Sequence, residues 1–221
     1  HLIGKGVSRF HAVYWPAMLK SAGLNLPKKI LVHGYITVGG EKMSKSLGNF
    51  ISPNEVVEKY GAEPVRYYLL REIPSGEDGD FSDSRFRERY NADLANGLGN
   101  FVSRVSALAK KFGSYEIIPR RLESNVKLEV KRAGRLVDVK IGAFRLNEAL
   151  AAVWDLVFFG DRYINRHKVW ATEKPDEQIR QISNLIFVLD NIAGLLIPFL
   201  PETSRKIRKN FPKPQRLFPR L

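Results

Sequence analysis

Residues 41–49 read EKMSKSLGN and follow a glycine pair, Gly39 and Gly40. Lys42 and Lys45 stand three apart, with Ser44 and Ser46 beside them and Gly48 and Asn49 behind. Lysines and serines next to glycines commonly make a solvated turn. The same residues also suit another task. Ammonium groups on flexible stems act as adjustable point charges where negative charge builds on a phosphate, and serine hydroxyls add hydrogen bonds there. Composition leaves both readings open, so the flanking elements have to decide.

Upstream, His1-Leu2-Ile3 reads as a short apolar strand end running into Gly4-Lys5-Gly6. Ser8 is placed as a helix N-cap, with Phe10, Val13, Tyr14, Ala17 and Met18 at helical spacing until Gly23 stops the run. Ile30-Leu31-Val32 reads as a second buried strand, and Tyr35 to Val38 have strand propensity. Strand, helix, strand is the pattern of a parallel sheet, whose ligands lie beyond the carboxyl ends of the strands. The glycine-rich segment and the lysine loop both follow such ends.

From Pro53 onward the chain turns helical. Residues 54–60 and 62–73 read as short helices split by Gly61, and residues 74–82 as a polar loop. Phe86, Tyr90, Leu94, Leu98, Phe101, Val105, Leu108 and Phe112 then advance by three or four, which predicts one long amphipathic helix. Three more helices are predicted at about 123–141, 144–169 and 176–197, with proline-rich turns at 198–201 and near the C-terminus. The fold class expected is an α/β fragment followed by an all-α helical bundle.

The charge is uneven. Residues 1–80 carry 10 Lys/Arg against 8 Asp/Glu, whereas residues 81–221 carry 26 against 15. The helical part therefore faces a polyanion such as nucleic acid. Cysteine is absent, which excludes disulfides and thiolate metal sites and fits a cytoplasmic protein. No run of eighteen apolar residues is present, so no membrane partner is expected. Histidines 1, 11, 33 and 167 are too scattered to suggest a zinc cluster.

A lysine loop after a βαβ fragment, joined to a basic helical bundle, resembles the C-terminal part of a class I aminoacyl-tRNA synthetase, most closely methionyl-tRNA synthetase. KMSKS by itself is shared by several class I enzymes. The wider context is more specific: FHAVYWPAML at 10–19, VHGYITVGGEKMSKSLGN at 32–49, EPVRYYLLRE at 63–72 and NADLANGLGNFVSR at 91–104. The likeness runs down to LFPRL at 217–221.

The resemblance implies the second half of a Rossmann-type nucleotide-binding domain over residues 1–52, a connecting stem-contact region over 53–82, and an anticodon-binding bundle over 83–221. It implies that Lys42 and Lys45 are catalytic and charge-stabilise the triphosphate of ATP, with Lys45 matching the lysine on which the family depends more. Gly4, Met43, Ser44 and Ser46 join those two lysines as the implied ATP-binding residues, ATP arriving with Mg2+ as substrate and no metal site in the chain. His11 and Trp15 lie four apart and share a helix face. From the residues alone they make a core aromatic pair beside Pro16; the resemblance implies a methionine pocket. His33 reads as a structural hydrogen-bonding group.

Asn100 and Arg104 sit one turn apart beside the Phe101/Val105 stripe, where a solvated helix edge is the plain reading. The resemblance matches them to the residues that read the CAU anticodon of methionine tRNA, and Trp170 to the tryptophan on which its first base stacks. An indole in the polar run HKVWATEK is also hard to place in a core, whereas Trp154 lies in an apolar stripe and reads as core. Two departures stand out. The family usually has an aspartate where this chain has Gly6, and these residues contain neither a HIGH-type motif nor the first half of the nucleotide fold. A separate N-terminal half chain is therefore an expected partner, beside methionine, ATP and methionine tRNA; the alternative is a tRNA-binding module without catalysis of its own.

Overall fold

β1 (Leu2–Gly4) and β2 (Leu31–His33) run parallel, Leu2, Ile3 and Gly4 facing Leu31, Val32 and His33. The computed structural model describes residues 1–44, 48–213 and 217–221. Between the two strands the chain makes a 3-10 turn at Lys5–Val7, a π-helical stretch at Phe10–Tyr14 and then α1 (Trp15–Ser21). Pro16 has no N–H to donate and its ring crowds the preceding turn, a recognised cause of such widening. The expected N-cap at Ser8 is not formed. Ser8 already has helical backbone angles, and its hydroxyl donates back to the Lys5 carbonyl at 2.8 Å, because the winding starts one turn earlier.

A second sheet adjoins it. β3 (Ile36–Val38) pairs antiparallel with β4 (Glu41–Lys42) and parallel with β5 (Gly79–Asp80). β5 lies within the expected polar loop, and two residues of glycine and aspartate leave no strand pattern to read. It is held by its own carboxylates. Asp78 accepts from Lys5 Nζ and from the Tyr35 N–H, both at 2.7 Å, and these bonds hold its carboxyl below the usual range. Asp80 accepts from the Gly40 N–H at 2.8 Å and from the Thr37 hydroxyl at 2.9 Å, which lowers it likewise. Gly34 permits this crossing, since a Cβ there would lie 1.9 Å from the Glu77 carbonyl oxygen.

α2 (Pro53–Tyr60) and α3 (Ala62–Glu72) lead into the bundle of α4 (Asp83–Arg89), α5 (Asn100–Phe112), α6 (Ser124–Gly142), α7 (Leu146–His167), α8 (Pro175–Leu196) and α9 (Pro201–Asn210). The predicted long helix is continuous from α4 into α5, but Tyr90–Gly99 between them is π-helical. The sequence explains where. Phe86, Tyr90, Leu94 and Leu98 advance strictly by four, more than an α-helical turn of 3.6, and a wider turn keeps them on one buried face. α9 was not expected from periodicity: it is short and strongly basic, with Thr203, Ser204 and Ile207 as its buried residues.

α8 is long and apolar enough by composition to cross a membrane, yet 61% of that stretch is buried inside the bundle. α3 docks on the bundle through polar ties as well as packing. The Tyr67 hydroxyl donates to Asp93 at 2.7 Å, and Trp154, stacked on Tyr67 at 4.6 Å, donates its indole N–H to the Asp93 carbonyl. Glu63 caps α9 by accepting from the backbone of Glu202 and Thr203, while Arg66 donates to the carbonyls of Pro198 and Phe199.

Candidate functional sites

The lysine loop leaves β4 with its side chains alternating, as a strand requires. Lys42 points to one face, where its ammonium lies 4.7 Å from the centre of the Tyr35 ring. Met43 points to the other, into an apolar recess lined by Ile36, Ile51, Val56, Val65, Leu69 and Phe81. The side chain of Asn49 closes the base of the loop: its Oδ1 accepts from the Ser44 N–H at 2.8 Å and its Nδ2 donates to the Lys42 carbonyl at 3.3 Å. Lys45 and Ser46 lie outside the described residues.

Tyr35 links this loop to the glycine-rich segment. A Cβ at Gly6 would lie 3.3 Å from the Tyr35 hydroxyl, so the missing side chain leaves room for the tyrosine. Gly4, at the carboxyl end of β1, faces the His33 imidazole, whose Nδ1 pairs with the Gly34 carbonyl at 2.9 Å. His33 is thus engaged locally, as a structural group would be.

His11 and Trp15 come together with ring centres 4.8 Å apart. His1 joins them, 4.5 Å from the Trp15 ring and with its Nδ1 3.2 Å from His11 Nε2. Nothing in the spacing of the histidines pointed to His1. The three rings form a half-open aromatic cluster beside the parallel strands. Among the described residues no group of His, Asp or Glu is arranged to hold a metal ion.

A second surface forms where α5 crosses the end of α7. Arg104 donates to Asp161 at 2.7 Å and to the side-chain Oδ1 of Asn165 at 2.5 Å. Burial pushes the Asp161 carboxyl above its ordinary range, and the Arg104 guanidinium only partly opposes this. Seven residues further along α5, Lys111 donates to the Trp170 carbonyl at 3.3 Å. Two cations on one helix therefore hold the α7 end and the turn beyond it, about 10 Å apart along the axis. Trp170 is 46% exposed and Asn100 is exposed, whereas Trp154 is only 2% exposed. Asp161, Asn165 and Lys111 were not singled out in the sequence, because their partners lie more than fifty residues away along the chain.

A family model described as tRNA synthetases class I (M) matches residues 1–106. Among curated relatives, a methionine–tRNA ligase of Thermotoga maritima is 39% identical over 94% of this chain and 34% of its own length. One from Clostridium perfringens is 42% identical over 94% of this chain and 33% of its own length. A solved Mycobacterium tuberculosis methionyl-tRNA synthetase in complex with methionyl-adenylate superposes with a TM-score of 0.83 at 37% identity, covering 94% of this chain and 43% of that one. The chain thus spans about a third of the length of these two curated relatives.

Proposed function

We propose, within the methionyl-tRNA synthetase family that the family match, the curated relatives and the solved neighbour all support, that this chain supplies the lysine loop, part of the methionine pocket and the anticodon reader of such an enzyme. The full reaction is ATP-dependent attachment of methionine to its tRNA. The methionine carboxylate attacks the α-phosphate of Mg2+-bound ATP, the bond to the β-phosphate breaks, and pyrophosphate leaves. Lys42 and Lys45 stabilise the charge that develops on the leaving pyrophosphate; Gly4, Ser44 and Ser46 line the nucleotide side, Met43 joining them through its main chain because its side chain fills the apolar recess; His11 and Trp15 enclose the thioether. The regions are a Rossmann-type half at 1–52, a stem-contact connection at 53–82 and the bundle at 83–221. The setting is cytoplasmic.

One observation carries the RNA half of this reading. Arg104 and Trp170, far apart in sequence, are tied into one surface by α5, with an exposed amide at Asn100 and an exposed indole face. Unstacked loop bases present hydrogen-bonding edges to such groups and a ring face to tryptophan. The test is a competition titration at fixed salt between a tRNA carrying CAU and one with another anticodon. Preference for CAU is expected; equal affinity removes the reader.

The catalytic half is tested by complementation. These 221 residues by themselves are expected to show no methionine-dependent exchange of pyrophosphate into ATP, and a polypeptide bearing the first half of the nucleotide fold is expected to restore it. In the restored enzyme Lys45→Ala should slow activation by roughly 10²-fold, the effect of losing one preorganised charge donor. The second reading is a tRNA-binding module without catalysis of its own. Failure of every complementing half to restore exchange would select it.

A further inference from the structure

We propose that Asn49 is the positioning residue of the lysine loop. This rests on reading the loop as a phosphate binder. The Asn49 amide stands in for a neighbouring peptide group. In an extended segment the carbonyl of one residue and the N–H two residues later point to the same side. Asn49 accepts from the Ser44 N–H and donates to the Lys42 carbonyl on that side, at 2.8 and 3.3 Å. It therefore prolongs β4 by one step beyond its pairing with β3, whose register ends at Thr37 opposite Lys42.

The consequence is directional. With residues 42–44 held extended, Lys42 and Met43 must face opposite ways. Met43 is committed to the apolar recess over Ile36 and Phe81, and Lys42 to the Tyr35 ring. Ile36 and Tyr35 alternate on β3 and its approach in the same sense, so both strands agree on which face is apolar and which carries the cation. Without the Asn49 clamp, residues 43 and 44 would be fixed by Met43 burial and the remaining Ser44 contacts, and the aim of the Lys42 ammonium would loosen. The asparagine amide suits the role because its oxygen accepts from one backbone group while its nitrogen donates to another.

The experiment is 15N NMR on the 221-residue chain and two variants. In Asn49→Ala the Ser44 amide should exchange with solvent about 10-fold faster, the loss of one protecting hydrogen bond. In Asn49→Asp the acceptor for Ser44 persists, and protection should be kept. Bundle amides should be unchanged in both, which excludes general unfolding. Titration with inorganic tripolyphosphate is then read on the Lys42 and Ser44 amides. The wild type should respond, and Asn49→Ala should need several-fold more tripolyphosphate. Unchanged Ser44 exchange in Asn49→Ala overturns the clamp, and equal tripolyphosphate responses overturn the positioning role. A wild-type loop that ignores tripolyphosphate while Ser44 stays protected removes the phosphate reading itself, and the assignment with it.

Discussion

The first helix and the bundle helices follow the same apolar spacing but meet opposite fates. Phe10, Val13 and Met18 recur along the first helix and are 65%, 57% and 68% exposed. Phe101, Val105 and Leu108 recur along α5 and are 0%, 0% and 8% exposed. Amphipathic periodicity states which face of a helix must be covered. It does not say what covers it. In the bundle α7 and α8 supply the cover, while among the described residues nothing lies over the outer face of the first helix.

Paired substitutions test that contrast most strongly. Phe101 packs so tightly on α7 that a Cβ at Gly160 would lie 2.4 Å from its ring. Phe101→Ala should cost about 3–5 kcal/mol in urea denaturation, the range for deleting a buried phenylalanine. Phe10→Ala should change stability by no more than about 0.5 kcal/mol, as for an ordinary surface site. A large loss at Phe10 would break the comparison, and would mean that its face is covered in solution.

Next in size is an effect confined to RNA binding. Trp170→Ala should weaken binding of a CAU-bearing tRNA by about 1–3 kcal/mol, the value of one base stacked on an aromatic ring, and weaken a non-cognate tRNA much less. A competition titration measures it, with circular dichroism to confirm folding. Trp154→Ala should instead destabilise the bundle by about 3–5 kcal/mol, since Trp154 is buried against Tyr67. If Trp170→Ala lowers both affinities equally or neither, the exposed indole is not a base platform.

The region between the two halves supplies a smaller test. Glu63 on α3 accepts from the Glu202 and Thr203 N–H groups and so caps α9 from outside its own helix. Glu63→Ala should cost about 0.5–2 kcal/mol of thermal stability, as loss of a helix cap does. Glu63→Gln, which keeps an acceptor, should recover part of it. Equal losses would assign the effect to charge rather than capping.

Much of this was legible in the sequence because it is local. The helix spans followed from spacing, the βαβ unit from two apolar runs about a helix, and the exposure of Trp170 from its polar neighbours. The unread parts depend on distant partners. β5 is two residues long and exists only because Asp78 and Asp80 reach β3 and the glycine turn. The clamp on Ser44 needs a loop that turns back, and His1 meets Trp15 only once the first helix has wound. The π-helical stretch was half legible: the repeat of four was visible, but an α-helix was the expected winding. Arg104 and Trp170 were each singled out, whereas Lys111, which joins one helix to the other's turn, looked like any surface lysine.

The smallest expected effect concerns pH at the seam where α2 meets α4. Asp83 accepts from the Tyr60 hydroxyl at 2.5 Å, from Arg87 Nε at 2.9 Å and from Lys59 Nζ at 3.3 Å. These donors, Tyr60 foremost, hold its carboxyl at about 2 against an ordinary 3.8. A carboxyl lowered on folding adds stability that is complete above its ordinary value and is lost as pH falls towards the folded one. The window is therefore pH 4 down to 2. Its side chain is 49% exposed, so solvent screening limits the contribution to under about 1 kcal/mol. Urea midpoints of wild type and Asp83→Asn should differ at pH 7 and converge by pH 2, other acid-labile groups cancelling in the difference. A gap that stays constant with pH would mean that Asp83 holds the seam by shape and neutral hydrogen bonds alone. The connection between the open α/β part and the closed bundle would then not depend on its charge.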